Sequence, residues 1–106
     1  MNMTEQAVLT PEVLQAEIAD WCKAYLARIL GRPEAEINLT TTFDRYGLDS
    51  SVVVAMTGNL GDWLGHKVDP GAPFDFPTID ELSRALATDE EFFAAVAHSR
   101  ALGAAQ

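Results

Sequence analysis

Gly47-Leu48-Asp49-Ser50-Ser51 sets one carboxylate and two hydroxyls directly before Val52-Val53-Val54. A short acceptor ahead of an apolar run is a helix start, because the side chain can satisfy a free N–H of the first turn. A helix start also gathers unpaired donors and the positive end of the dipole. It therefore favours a phosphate, bound or covalently held. A serine hydroxyl placed there is exposed and able to carry a phosphate-linked group. Taken alone, the pattern leaves two readings open. Either Asp49 or Ser50 caps the helix and nothing more happens, or one hydroxyl is there to be modified.

Other reactive side chains offer little competition. His66 and His98 follow no catalytic spacing with Ser50, and His66 beside Gly65 suits a helix C-terminus. No Gly-x-Ser-x-Gly elbow surrounds Ser50, which argues against a serine hydrolase. Asp44 and Asp49 lack the alternating ligands of a calcium loop, and no metal site is expected. Trp21, Trp63 and Phe92 read as core or rim aromatics, and Asp89-Glu90-Glu91 as favourable charge at a helix start.

The elements that must hold this stretch are helical. From Thr10 to Gly31 the chain has an N-cap, proline at the first helical position, and glycine just past the end. Leu14, Ile18, Trp21, Cys22, Tyr25, Leu26, Ile29 and Leu30 recur at three- and four-residue steps, predicting one apolar stripe on a helix over 11–30. Cys22, the single cysteine, falls on that stripe and reads as a small core residue. Residues 31–49 lose the period, and Ile37, Leu39, Phe43 and Leu48 are the expected anchors of a long connection. Loops of this kind are often functional.

A second helix is predicted from Ser50 to Gly65, with Val53, Met56, Leu60 and Trp63 or Leu64 facing the core. Gly58 and Gly61 inside it each cost about 1 kcal/mol relative to alanine. They leave open whether the helix is mobile or closely packed. "HKVDPGAPFDFP" carries three prolines, so any helix there is short. Thr78 and Glu81 form a capping box before Ile79, Leu82 and Leu86, and Thr88 with Glu91 repeats its spacing. The last helix therefore either restarts there or extends to about residue 100. No strand alternation appears, and the fold class is an all-α bundle.

At 106 residues, with 48% hydrophobic residues, the chain supports one small domain. Its net charge of −9 argues against nucleic acid and anionic membranes as partners. One cysteine excludes an internal disulfide. The N-terminal residues lack a signal-peptide pattern, so a cytoplasmic location is expected. The expected divisions are a flexible segment 1–9, a domain 10–100 and a flexible tail 101–106. Met1 with a start unlike a tag favours a native N-terminus.

The arrangement as a whole resembles the acyl carrier protein family. The features are a long first helix, a long loop, Phe43-x-x-x-Gly47-Leu48-Asp49-Ser50 opening a second helix, and Phe74-Asp75-Phe76-Pro77-Thr78 before a later one. The resemblance covers about Leu14 to Leu86. The Phe74–Ile79 segment and Asn59-Leu60-Gly61-Asp62-Trp63-Leu64-Gly65 are similar to polyketide-synthase carriers. It implies a small four-helix bundle with a long first loop and a short third helix. It further implies a non-catalytic carrier of acyl or polyketide intermediates. In such carriers 4′-phosphopantetheine, delivered from coenzyme A by a phosphopantetheinyl transferase, is esterified to the matching serine, here Ser50. Asp49 would cap the helix and help the transferase recognise the site.

The implied partners are that transferase together with a ketosynthase, an acyltransferase or acyl-AMP ligase, and other synthase domains. The carrier itself is expected to be a monomer. Leu48, Ser51, Val52, Ala55, Asn59 and Asp62 are the expected partner-facing residues. Alternatives are a peptidyl or aryl carrier of a nonribosomal pathway, or an unmodified helical docking module.

Three departures stand out. Ser51 occupies the place of a usual leucine, and Ala55 replaces a frequent acidic residue. Docking is therefore expected to rest more on apolar contact than on carboxylates, with weak salt dependence. Pro73 stands where an aliphatic residue is common, which bears on the length of the third helix.

Overall fold

The computed structural model describes residues 9–104. The expected flexible segment 1–9 therefore lies, but for Leu9, outside the described residues, as do residues 105–106. Leu9 itself is half-buried against the core.

Helix α1 spans Pro11–Leu30. Thr10 starts it by accepting the Val13 N–H at 3.2 Å, and Gly31 ends it in the left-handed region at φ 66°. There a side chain would be strained, so glycine closes the helix, and its N–H returns to Ala27 and Arg28. Leu14, Ile18, Cys22 and Leu26 are fully buried along the expected stripe. Ile29 leaves that stripe and is 42% exposed.

Residues 31–49 are ordered by local turns rather than by a long element. Single 3-10 turns form at Glu34–Glu36 and Phe43–Tyr46. The Tyr46 hydroxyl accepts the Asn38 N–H at 2.8 Å and donates to the Asn38 carbonyl at 2.9 Å, so it pins both groups of one residue. Phe43 N–H donates to Pro77 O, and Asp80 N–H to Leu39 O, each at 2.9 Å. An isolated antiparallel bridge joins Thr42 to Thr78. Ile37 and Phe43 are buried, while Leu39 and Leu48 pack half-buried against the core. The loop is thus fixed on the far half of the chain, which fixes where α2 begins.

Helix α2 covers Ser50–Leu64, α3 is the single turn Ala72–Asp75, α4 covers Ile79–Thr88 and α5 covers Glu90–Ala104. On α2, Val53, Met56, Leu60 and Leu64 are buried; Trp63 turns outward and is 48% exposed. Each buried leucine-sized side chain contributes about 1.5–3 kcal/mol. Pro73 is fully buried, and α3 is held to one turn, as its three flanking or internal prolines require. Among the described residues no α-helix or turn gives way to a named strand, and every fully buried side-chain polar atom has a partner.

The expected bundle of four helices is α1 to α4, and the chain then restarts as a separate α5. One expectation is corrected here: Thr88 does not cap α5. Asp89 does, accepting the Phe92 N–H at 3.0 Å, while the Thr88 hydroxyl donates back to Arg84 O. Burial of Phe92 and Val96 sets the phase of α5 and hence the residue at its start. The helix runs to Ala104, past the boundary expected at residue 100. It is tied back by Arg100, which contacts Glu17 of α1 at 2.6 Å, and by Phe92, whose ring meets His66 edge-on at 5.4 Å.

Candidate functional site

Asp49 sits in extended backbone at φ −83°, ψ 173°, and its Oδ1 accepts the Val52 N–H at 3.1 Å. It is the N-cap of α2. Gly47 precedes it at φ 79°, a left-handed turn that a side chain would strain, and lets the chain reverse out of the 43–46 turn. The site therefore follows from two local choices: glycine to turn the loop and aspartate to start the helix.

Ser50 is the first residue of α2 and is exposed. Among the described residues its hydroxyl has no hydrogen-bond partner, whereas the adjacent Ser51 Oγ donates to Asp49 Oδ1 at 2.7 Å. Asp49 is fully exposed, yet its carboxyl lies below the usual value of 3.8. The Ser51 hydroxyl is the main cause and the Val52 N–H the next. The carboxylate therefore stays charged beside the free Ser50 hydroxyl.

A cavity of about 380 Å³ opens beside Ser50. Leu48, Val53, Phe43, Pro73 and Phe74 line it with apolar surface, Thr42 and Asp44 with polar groups. Phe74 is 54% exposed at this cavity, a large apolar side chain left half in solvent. A second, larger groove of about 490 Å³ runs along α2 from Val54 past Gly58 and Gly61 to His66 and Pro70, away from Ser50.

The sequence-predicted residues divide by position. Leu48, Asp49, Ser50 and Ser51 come together at the start of α2. Val52, Ala55, Asn59 and Asp62 follow along the helix at three- and four-residue steps. Ala55 and Asp62 are exposed and Val52 is half-buried. Asn59 is partly spent on structure, since its Nδ2 donates to the Tyr25 hydroxyl at 3.0 Å. Tyr25 continues into an aromatic stack with Trp21 at 4.9 Å, and Trp21 meets Trp63 at 6.1 Å. Pro73 and Phe74 join the site through tertiary packing. In sequence they stand in a proline-rich stretch that carries part of the family resemblance, and nothing local says that it returns to Ser50.

Phosphopantetheine would need an accessible hydroxyl, a helix start to receive its phosphate and room for an extended arm. Ser50, the α2 N-terminus and the adjacent cavity supply these, so the residues fit the group. Among the described residues no group of three or more His, Cys, Asp or Glu is placed to hold a metal, and no helix is long and apolar enough to cross a membrane.

Comparisons with known proteins agree with that chemistry. The family described as "Phosphopantetheine attachment site" matches residues 20–86. Acyl carrier protein TtuC of Teredinibacter turnerae is 35% identical over 63 residues, 59% of this chain and 72% of its own length. The spectinabilin polyketide synthase system protein NorA′ of Streptomyces orinoci is 32% identical over 90 residues. That is 80% of this chain but 2% of the synthase.

Among solved structures, the HMG-ACPI domain from the CurA module of Lyngbya majuscula superposes with a TM-score of 0.64 at 31% identity. The match covers 76% of this chain and 79% of that one. A free-standing peptidyl carrier protein of Acinetobacter baumannii gives 0.60 at 26%, over 76% and 96% of the two chains. All of these are likenesses, and α5 lies beyond the residues that the family matches.

Proposed function

The chain belongs to the phosphopantetheine attachment-site family of carrier domains, and from that premise we propose that it is a polyketide-type acyl carrier modified on Ser50. It is a carrier and not a catalyst. The observation that carries the assignment to Ser50 is its exposed, unpartnered hydroxyl at the Asp49-capped start of α2, beside the apolar cavity.

In this reading the Ser50 Oγ forms a bond to the phosphorus of coenzyme A that bears the pantetheine. The phosphoanhydride bond breaks, adenosine 3′,5′-bisphosphate leaves, and the serine proton passes to a base on the transferase. When bound, the group supplies a terminal thiol that holds an acyl chain as a thioester. Everything else is positioning. Asp49 fixes the first turn, Gly47 and the 38–46 loop fix where that turn stands, and Val53 and Met56 hold α2 on the core. Tethering raises the effective concentration of the cargo at each partner's active site.

Partner docking extends from Leu48 and Ser51 along Val52, Ala55, Asn59 and Asp62. Because only Asp62 adds charge beyond Asp49 on α2, apolar contact leads. The partners are the transferase and the ketosynthase, acyltransferase or acyl-AMP ligase of a synthase, met in the cytoplasm by a monomeric carrier. The relative named as a polyketide synthase protein supports the polyketide assignment. The likeness to a free-standing peptidyl carrier favours the second reading, an aminoacyl cargo.

The test is intact mass after incubation with coenzyme A, Mg²⁺ and a broad-specificity transferase. A gain of one arm that Ser50→Ala abolishes is expected; no gain would overturn the carrier assignment. Loading of the product by a malonyl-specific acyltransferase, and not by an amino-acid adenylating domain, is expected for the polyketide reading. The reverse preference selects the peptidyl one.

A further inference from the structure

Ser50 and Ser51 are adjacent and both exposed, yet the structure uses them differently. Ser51 Oγ donates to Asp49 Oδ1 at 2.7 Å, and the same oxygen accepts the Val52 N–H at 3.1 Å. Among the described residues neither the Ser50 hydroxyl nor Asp49 Oδ2 takes a side-chain partner. An aspartate cap held by one N–H at an exposed site keeps rotamer freedom. A second, charge-assisted bond from the neighbouring hydroxyl removes it.

The bond has two chemical consequences. Both of these donors fall on Oδ1, and Oδ2 keeps no side-chain partner, so it remains an ionised acceptor open to an incoming protein. The depressed carboxyl is also a weak base toward Ser51, so the pair orients and does not activate. The complement of a fixed, unpaired carboxylate oxygen on a chain of net charge −9 is a lysine or arginine on the incoming protein.

We propose that Ser51 is a positioning residue of the attachment site. It holds the Asp49 carboxylate in the one orientation that caps α2 and leaves Oδ2 to a cationic group of the transferase working on Ser50. This rests on the reading that Ser50 is the attachment point. A leucine in the same place could cover the surface but could not make the bond.

The experiment uses the whole chain as wild type, Ser51→Ala, Ser51→Thr and Ser50→Ala. Two readouts are followed: the titration of the Asp49 carboxyl by ¹³C NMR without the arm, and transferase kinetics with coenzyme A. In Ser51→Ala the Asp49 carboxyl titrates nearer its ordinary value, and KM for the carrier rises roughly three- to tenfold at unchanged kcat, the size of one exposed hydrogen bond. Ser51→Thr, which keeps the hydroxyl, restores both. An Asp49 titration or a KM that Ser51→Ala leaves unchanged overturns the proposal, as does a rise in KM that threonine fails to rescue. Absence of the arm from wild type, or its appearance on Ser51, is a different failure, that of the Ser50 reading, and removes the proposal with it.

Discussion

At the scale of single residues, the site is a division of labour among three neighbours. Asp49 caps, Ser50 stays free, and Ser51 steadies the cap. The folded Asp49 carboxyl lies below its ordinary value, and unfolding removes the hydrogen bonds from the Ser51 hydroxyl and the Val52 and Ser51 N–H groups that hold it there. The sign of the linkage follows. Its contribution to stability is complete above the unfolded value and is lost as pH falls through the depressed folded one. Urea midpoints of wild type minus Asp49→Asn should therefore be level above about pH 5 and change as pH falls through and below the ordinary carboxyl value of 3.8. A difference that stays level throughout would contradict the cap. The carboxylate, the glycine before it and the serine after it were all legible in the sequence. The choice of Ser51 as donor was not, because two adjacent hydroxyls offer the same chemistry and only backbone geometry separates them.

At the scale of elements, caps and breakers were readable and tertiary roles were not. Thr10, Pro11, Gly31, Thr78 and Gly65 all end or begin helices as their types predict. Thr88 misled because threonine followed three residues later by glutamate is a good local signal. Asp89 is as good a cap, and the burial of Phe92 and Val96 decides between them. The Asn59–Tyr25 bond spans two helices and leaves no local trace.

The two glycines inside α2 looked alike in sequence and are not. A Cβ on Gly61 would lie 3.0 Å from His66 O and 3.1 Å from Val68 N, both backbone atoms, whereas one on Gly58 would meet nothing within 4 Å. Gly61 is thus a close-packing residue against the 66–68 turn. Gly58→Ala should stabilise the chain by about 0.5–1 kcal/mol through helix propensity. Gly61→Ala should destabilise it by about 1–3 kcal/mol, because backbone must move. Chemical denaturation of the two variants checks both signs, and a stabilising Gly61→Ala would refute the packing role.

At the scale of the molecule, one small core positions the exposed Ser50 hydroxyl, and the family match over residues 20–86 takes in the whole of α2 and α3 with parts of α1 and α4. Helix α5 lies outside that match but is part of the same packed unit through Phe92, Val96 and Arg100. The apolar stripe of α1 made the core legible early. The return of Pro73 and Phe74 to Ser50 became visible only once α3 was folded over the loop.

Cys22 gives the molecule a clean reporter. It is fully buried, and burial pushes its thiol up to about 12, so it remains protonated and inaccessible at neutral pH. The native chain without its arm should not react with an aromatic disulfide reagent, and the modified chain should react once. A rapid reaction before modification would contradict the core placement of Cys22.

The most direct measurement locates the arm itself. Trypsin cleavage after Arg45 and Lys67 releases a peptide that contains both serines, and fragment ions between them separate Ser50 from Ser51. After incubation with coenzyme A and transferase, the 4′-phosphopantetheine mass should lie on Ser50 alone. Its presence on Ser51, or an unmodified peptide from a folded chain and an active transferase, would contradict the account.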